Sequence, residues 1–163
     1  MADLTQFLQL FHPLPGNKYL QVTTACDETT TALFEILQGV SGELSLALYV
    51  QEKSEVSKFS QAKIQYIQNF QDPFRSIPRD FDMVIFKDIF HLHQNQKLLI
   101  KLAYTALANT AHIIIMEKKG MMDIEAIKAM LEEFEFRASN EIDVLGAYDL
   151  VMAKKMHMWG NGL

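Results

Sequence analysis

The stretch KDIFHLHQN, residues 87–95, sets one carboxylate and two imidazoles close together: Asp88, His91 and His93. Imidazoles titrate near neutrality, so His91 or His93 could take a proton from a reacting group. A pair of surface histidines is the plainer alternative. With no convergent carboxylate the two make a poor metal site, and none is expected. The second chemical stretch is YLQVTTACDETT, residues 19–30, rich in hydroxyls and carrying Cys26, the chain's one cysteine. Such a turn could hydrogen-bond a small ligand. It could equally be a helix start, its free N–H groups capped by Asp27 and threonine hydroxyls. A helix start attracts anions. Asp27 and Glu28 stand in that position, so a pyrophosphate or nucleotide phosphate is disfavoured. Cys26 has no evident base to activate it and reads as an ordinary thiol.

The elements that must position these groups follow from periodicity. Strands are expected at Tyr19 to Thr23, Glu43 to Val50, Lys63 to Phe70, Phe81 to Phe86 and HIIIMEK. Helices are expected at Leu4 to Phe11, from Asp27 to before Gly39, from Asn95 through NQKLLIKLAYTAL, and from Asp123 through DIEAIKAMLEEF. A turn or two of helix is expected in SEVSKF. Inward faces are Leu33, Phe34 and Leu37 on the second helix, and Leu98, Leu99, Leu102 and Ala103 on the third. On the fourth they are Ile124, Ile127, Met130, Leu131 and Phe134. FEFRASNEIDVLGAYDLVMAKK reads as two closing strands around a turn near Gly146. Strands alternating with helices make βαβ units, hence a three-layer α/β domain with a mostly parallel sheet. On the open side of such a sheet, ligands sit beyond the carboxyl ends of the strands. Asp88, His91, His93 and Glu117 all fall there, Glu117 as a candidate polar group. Asp82 reads as a strand start.

The chain has 163 residues, 49% hydrophobic and 21% charged, with a net charge of -5. That suits one domain over 1–163, with residues 1–17 a leading helix and loop and 156–163 a tail. The negative charge argues against nucleic acid or an anionic membrane as partner. One cysteine and an acidic start, MADLTQF, point to a cytoplasmic protein. Met156, Met158 and Trp159 form an apolar cluster in the tail, able to dock on a protein partner or a second copy, or to fold back on the core.

The segment FDMVIFKDIFHLHQNQKLLIKLAYTALANTAHIIIMEK, with MLEEFEF and YDLVMAKK after it, resembles the class I S-adenosylmethionine-dependent methyltransferases. The likeness runs from about Lys18 to Lys155. It implies a Rossmann-like, seven-stranded sheet whose last strand is antiparallel. It also implies S-adenosylmethionine as cofactor and methyl transfer to a small-molecule or protein substrate, with His91 or His93 taking a proton. In the family's first motif an acid precedes three alternating glycines. Here Gln21 stands for the acid and Thr23, Ala25 and Asp27 for the glycines. The ribose-binding acid falls near Leu48 or Tyr49, with Glu52 slightly late. The adenine-side polar residue falls at Asn69, Gln71 or Asp72. LANTAH replaces a turn that usually holds glycine, and Glu133 stands at the glycine of a Gly-Phe pair. The resemblance thus places Gln21, Thr23, Ala25, Asp27, Tyr49, Glu52, Asp72 and Lys87 at the cofactor. The replaced glycines and acid point to an alternative, a non-catalytic binding or scaffold protein that keeps the sheet. A dehydrogenase is disfavoured without Gly-x-Gly-x-x-Gly.

Overall fold

The computed structural model describes residues 3–49 and 63–156. In chain order the elements are α1 (Thr5–Leu8), β1 (Lys18–Thr23), α2 (Glu28–Gln38), β2 (Glu43–Tyr49) and β3 (Lys63–Ile67). Then come β4 (Phe81–Lys87), α3 (Gln96–Ala106), β5 (Leu107–Lys118), α4 (Ile124–Glu133), β6 (Phe136–Glu141) and β7 (Tyr148–Lys155). The strands make one seven-stranded sheet in the order β3-β2-β1-β4-β5-β7-β6. The first five run parallel, and β7 is antiparallel to both its neighbours. This is the three-layer, mostly parallel arrangement expected from the alternation of elements.

Alternation along each strand sends side chains to two cores. Leu20, Val22, Val84, Phe86, Ile113 and Ile115 pack with Leu99 and Ala103 of α3 and with Ile127 and Leu131 of α4. Leu46, Leu48, Met83, Ile85, Ile114 and Met116 pack with Phe7 of α1 and with Leu33 and Leu37 of α2. Double coverage explains why β4 and β5 read as unbroken apolar runs. The helix starts are set by their caps. Asp27 accepts from the N–H groups of Thr29 and Thr30, Asn95 from Leu98, and Asp123 from Ala126. At the other end of α2, Gly42 is held because a Cβ there would lie 2.6 Å from the Asn17 carbonyl.

Several local expectations are corrected. The first helix is a single turn, and the third strand stops at Ile67 rather than Phe70. On α3 the fully buried residues are Leu99, Ile100, Ala103 and Ala106, while Leu98 and Leu102 are half-buried flanks. Residues 107–110 do not form a separate turn. They open β5 with a bulge, in which Phe81 pairs with Leu107 but Met83 with His112. Thr110 takes a left-handed φ of 69° there. The left-handed residue after α4 is Glu135, also at 69°, followed by fully buried Phe136. Glu133 is the last helical residue of α4. Glu135 and Thr110 each adopt a conformation that costs a side-chain-bearing residue about 1 kcal/mol. The SEVSKF segment lies outside the described residues. No helix among the described residues is long and apolar enough to cross a membrane.

From β1 the sheet grows outward through β2 to β3, then returns to β4 on the other side of β1. The carboxyl ends of β1 and β4 thus flank the topological switch point, where open α/β sheets hold ligands.

Candidate functional site

At the end of β1 the polar side chains are committed to one another. Gln21 is fully buried, and its amide donates to Thr29 Oγ1 at 3.1 Å. Its carbonyl oxygen accepts from Thr30 Oγ1 at 2.6 Å. Thr29 Oγ1 donates in turn to Asp27 Oδ1 at 2.5 Å. Thr23 is buried, and its hydroxyl donates to the carbonyl of Ala25 at 3.5 Å. Each donor in this set has an acceptor, as burial requires.

Beside that turn stands the last residue of β4. Thr23 and Lys87 are register partners, so the lysine rises from the strand next to β1. Its Nζ lies 2.6 Å from Asp27 Oδ2, 2.7 Å from Asp88 Oδ2 and 2.9 Å from the Tyr148 hydroxyl, with 3% of Lys87 exposed. Tyr148 donates to Asp88 Oδ2 at 2.9 Å. Burial works against the charged ammonium, but the hydrogen bonds with Asp27, Asp88 and Tyr148 outweigh it and raise the Lys87 pKa. Burial likewise opposes the Asp27 carboxylate, and bonds from Lys87 and Thr29 overcome it, so its pKa is lowered. Asp88 sits at φ 60°, and its Oδ1 is buried with no partner among the described residues. Above this cluster opens a cleft of about 850 Å³. Its walls are residues 3–9, the first turn of α2 and residues 144–147 before Tyr148.

The two histidines of the β4 loop part company. His91 turns to β5, where fully buried Glu117 accepts from its backbone N–H at 2.8 Å and meets its Nδ1 at 2.7 Å. Its side chain stays 27% exposed. A carboxylate on Nδ1 favours the tautomer whose Nε2 lone pair is free to accept a proton. His93 is buried. Its Nδ1 accepts from the Asn95 N–H at 3.0 Å, and burial lowers its pKa. Its ring meets Tyr49 edge-on at 5.8 Å, and Tyr49 stacks on Phe70 at 6.0 Å. Tyr49 is buried and donates to the Asp72 carbonyl at 2.6 Å; burial raises its pKa. Asp72 itself is exposed. Asn69 and Gln71 are taken up by hydrogen bonds with the loop and with Gln94. Asp82 accepts from the Lys18 N–H at 2.9 Å, a strand-start contact. Glu52, Met158 and Trp159 lie outside the described residues.

No family model and no curated protein matches this sequence. Solved structures do match in shape. A SAM-dependent methyltransferase from Aquifex aeolicus superposes with a TM-score of 0.73 at 14% identity, over 95% of this chain and 90% of that one. The CurJ carbon methyltransferase gives 0.71 at 14% identity, over 92% of this chain and 51% of its own. Phosphoethanolamine N-methyltransferase 2 from Haemonchus contortus was solved with phosphomonomethylethanolamine and S-adenosylhomocysteine. It gives 0.71 at 10% identity, over 94% of this chain and 52% of its own. The fold is that of the class I S-adenosylmethionine-dependent methyltransferases. The chain spans about half the length of the last two.

Within the methyltransferase fold, Gln21, Thr23, Ala25 and Asp27 lie on β1 and the turn after it, and Lys87 reaches Asp27 from β4. Tyr49 and Asp72 meet at the ends of β2 and the β3 loop. His91 and His93 do not converge. One member of the site escaped the sequence, and one candidate gained an unforeseen partner. Tyr148 joins Lys87 from 61 residues away. Glu117 reads as a polar strand end, yet it is the partner of His91 across 26 residues. No local spacing signals either contact.

Proposed function

We propose that this methyltransferase-fold protein is a non-catalytic binding module whose cofactor crevice is filled by its own side chains. The observation that carries the reading is the 2.6 Å ion pair between Lys87 and Asp27 across the ends of β4 and β1. In the family, glycines there admit the methionine end of S-adenosylmethionine, and an acid binds its amino group. In this chain three Cβ atoms stand in the cradle, and the acid's position holds Gln21, already bound to Thr29 and Thr30. A buried ammonium faces the space a sulfonium and an amino group would need. Like charges in a partly desolvated site repel strongly. These residues do not fit that cofactor.

The test is calorimetric titration of the full chain with S-adenosylmethionine and S-adenosylhomocysteine, alongside thermal shift. No heat and no shift at millimolar ligand are expected. Micromolar binding of either would overturn the proposal.

One observation favours a second reading, that of an active methyltransferase with an unknown small-molecule or protein substrate. It is the pairing of His91 with buried Glu117, an arrangement suited to accepting a proton. Micromolar binding lost on a bulky change at Ala25, together with label transfer lost in His91→Ala, would support it.

A further inference from the structure

The amino edge of the sheet, opposite the switch point, carries a second cleft of about 310 Å³. Its floor is one row of side chains. Tyr19 pairs in register with Met83, and Met83 with His112, so all three share a sheet face. Met152 of β7 extends that floor, and Leu10, His12 and Leu14 line the cleft from the chain between α1 and β1. The remaining wall is the LANTAH segment, where residues 108–111 of β5 stand opposite Asp82 alone. Bulges re-aim side chains, and Asn109 and Thr110, the latter at φ 69°, line the cleft here. Tyr19 is 3% exposed, and what remains of its surface opens on the cleft. Burial, then the nearby charge of Asp82, push its hydroxyl up to about 12, yet that hydroxyl makes no hydrogen bond among the described residues. Buried hydroxyls are normally bonded, so this one calls for a partner that enters the cleft. Asp82, also in the lining, binds the Lys18 N–H through Oδ2, which leaves its Oδ1 for a donor. Burial, then Lys154, lowers the His112 pKa, so its ring is neutral at physiological pH. With Asp82 charged and His112 neutral, an anion is repelled.

We propose that this cleft binds a neutral, planar nitrogen heterocycle of the purine type. Its ring lies over Met83 and Met152, with an N–H on Asp82 Oδ1 and a ring acceptor on the Tyr19 hydroxyl. Thioethers pack favourably against aromatic rings. A purine edge sets a donor beside an acceptor, which is what a carboxylate next to a phenol requires. A volume of about 310 Å³ suits one ring system with little appended to it. The site lies at the other edge of the sheet from Lys87, so it is independent of whether the crevice admits S-adenosylmethionine.

The experiment titrates the isotope-labelled full chain with adenine and follows the backbone amides by NMR. Saturable shifts at residues 109–112 are expected, with a dissociation constant of about 0.1–1 mM for so small a ligand. 6-Dimethylaminopurine keeps the ring but loses the exocyclic N–H donors, and should bind at least about tenfold more weakly. Tyr19→Phe removes a hydroxyl that no described residue engages. Its urea midpoint should therefore match wild type, while adenine affinity falls about tenfold. Asp82→Asn keeps an oxygen for the Lys18 N–H but turns a donor toward the ligand, and should lose at least as much. No saturable shift at ~5 mM adenine overturns the inference. Equal affinity for 6-dimethylaminopurine, or unchanged affinity in Tyr19→Phe, does the same. So do shifts confined to the carboxyl edge around Asp72 and His93, which would put adenine in the crevice instead.

Discussion

Replacing Lys87 by methionine tests whether the charge cluster at the switch point holds the two halves of the sheet's carboxyl edge together. Methionine keeps the volume and removes the ammonium. Three contacts go, those to Asp27, Asp88 and the Tyr148 hydroxyl at 2.6, 2.7 and 2.9 Å. Removing one member of a buried ion pair typically costs about 3–5 kcal/mol, because its partner is left unpaired. Asp27 and Asp88 side chains are 35% and 19% exposed, so water recovers part of that. A loss of about 2–3 kcal/mol is expected. With a urea slope of about 2 kcal/mol per molar, the unfolding midpoint should fall by roughly 1–1.5 M, read by far-ultraviolet circular dichroism. The pH profile sharpens the test. Asp27 has a folded pKa below 3.8, so its contribution is present above that value and is lost as pH falls through the folded pKa. Lys87 has a folded pKa above 10.5, so its contribution is complete below 10.5 and is lost as pH rises through the folded value. In Lys87→Met the acid-side loss should shrink, since Asp27 no longer gains from the ammonium. A cycle with Asp27→Asn, which keeps the helix cap, isolates the coupling. A midpoint shift under ~0.3 M, or an unchanged acid limb, would refute the reasoning.

Two other perturbations probe neighbouring parts of the same argument. Lys155 is buried and donates to the Tyr104 and Leu107 carbonyls at 2.6 and 2.7 Å, capping the end of α3 with a positive charge. Lys155→Met should cost about 1–3 kcal/mol in urea unfolding, by stranding those carbonyls. Burial lowers the folded pKa of Lys155 below 10.5. Wild-type stability should therefore rise with pH between that folded value and 10.5, and the variant should lack this rise. Gln21→Glu puts an acid at a fully buried position where Gln21 is bonded to Thr29 and Thr30, and Thr29 in turn to Asp27. It should destabilise by about 2–4 kcal/mol without creating S-adenosylmethionine binding, because Lys87 and the three Cβ atoms remain. Stability equal to wild type, or binding by calorimetry, would count against the packed-turn account.

Much of the frame could be read along the chain. The unbroken apolar runs of β4 and β5, the caps at Asp27, Asn95 and Asp123, and the strand–helix alternation each depend on residues a few positions apart, so composition and period reveal them. The misjudged details involve contacts at a distance. Leu98 and Leu102 share a helical stripe with Leu99, but the angle at which α3 lies on the sheet decides which are sealed, and it seals Ile100 and Ala106 instead. Thr110 and Glu135 occupy left-handed positions that glycine adopts more easily; they sit at the bulge against Phe81 and just before buried Phe136.

The sequence by itself determined the class of fold and the identities of the groups crowded at the first turn, because periodicity and residue type are properties of the chain. The tertiary structure decided what those groups do. It brought Lys87 onto Asp27, Tyr148 onto both Lys87 and Asp88, and Glu117 onto His91 while burying His93. Charges and hydrogen bonds act over a few ångströms, and the strand order, not the spacing in sequence, sets which side chains come that close.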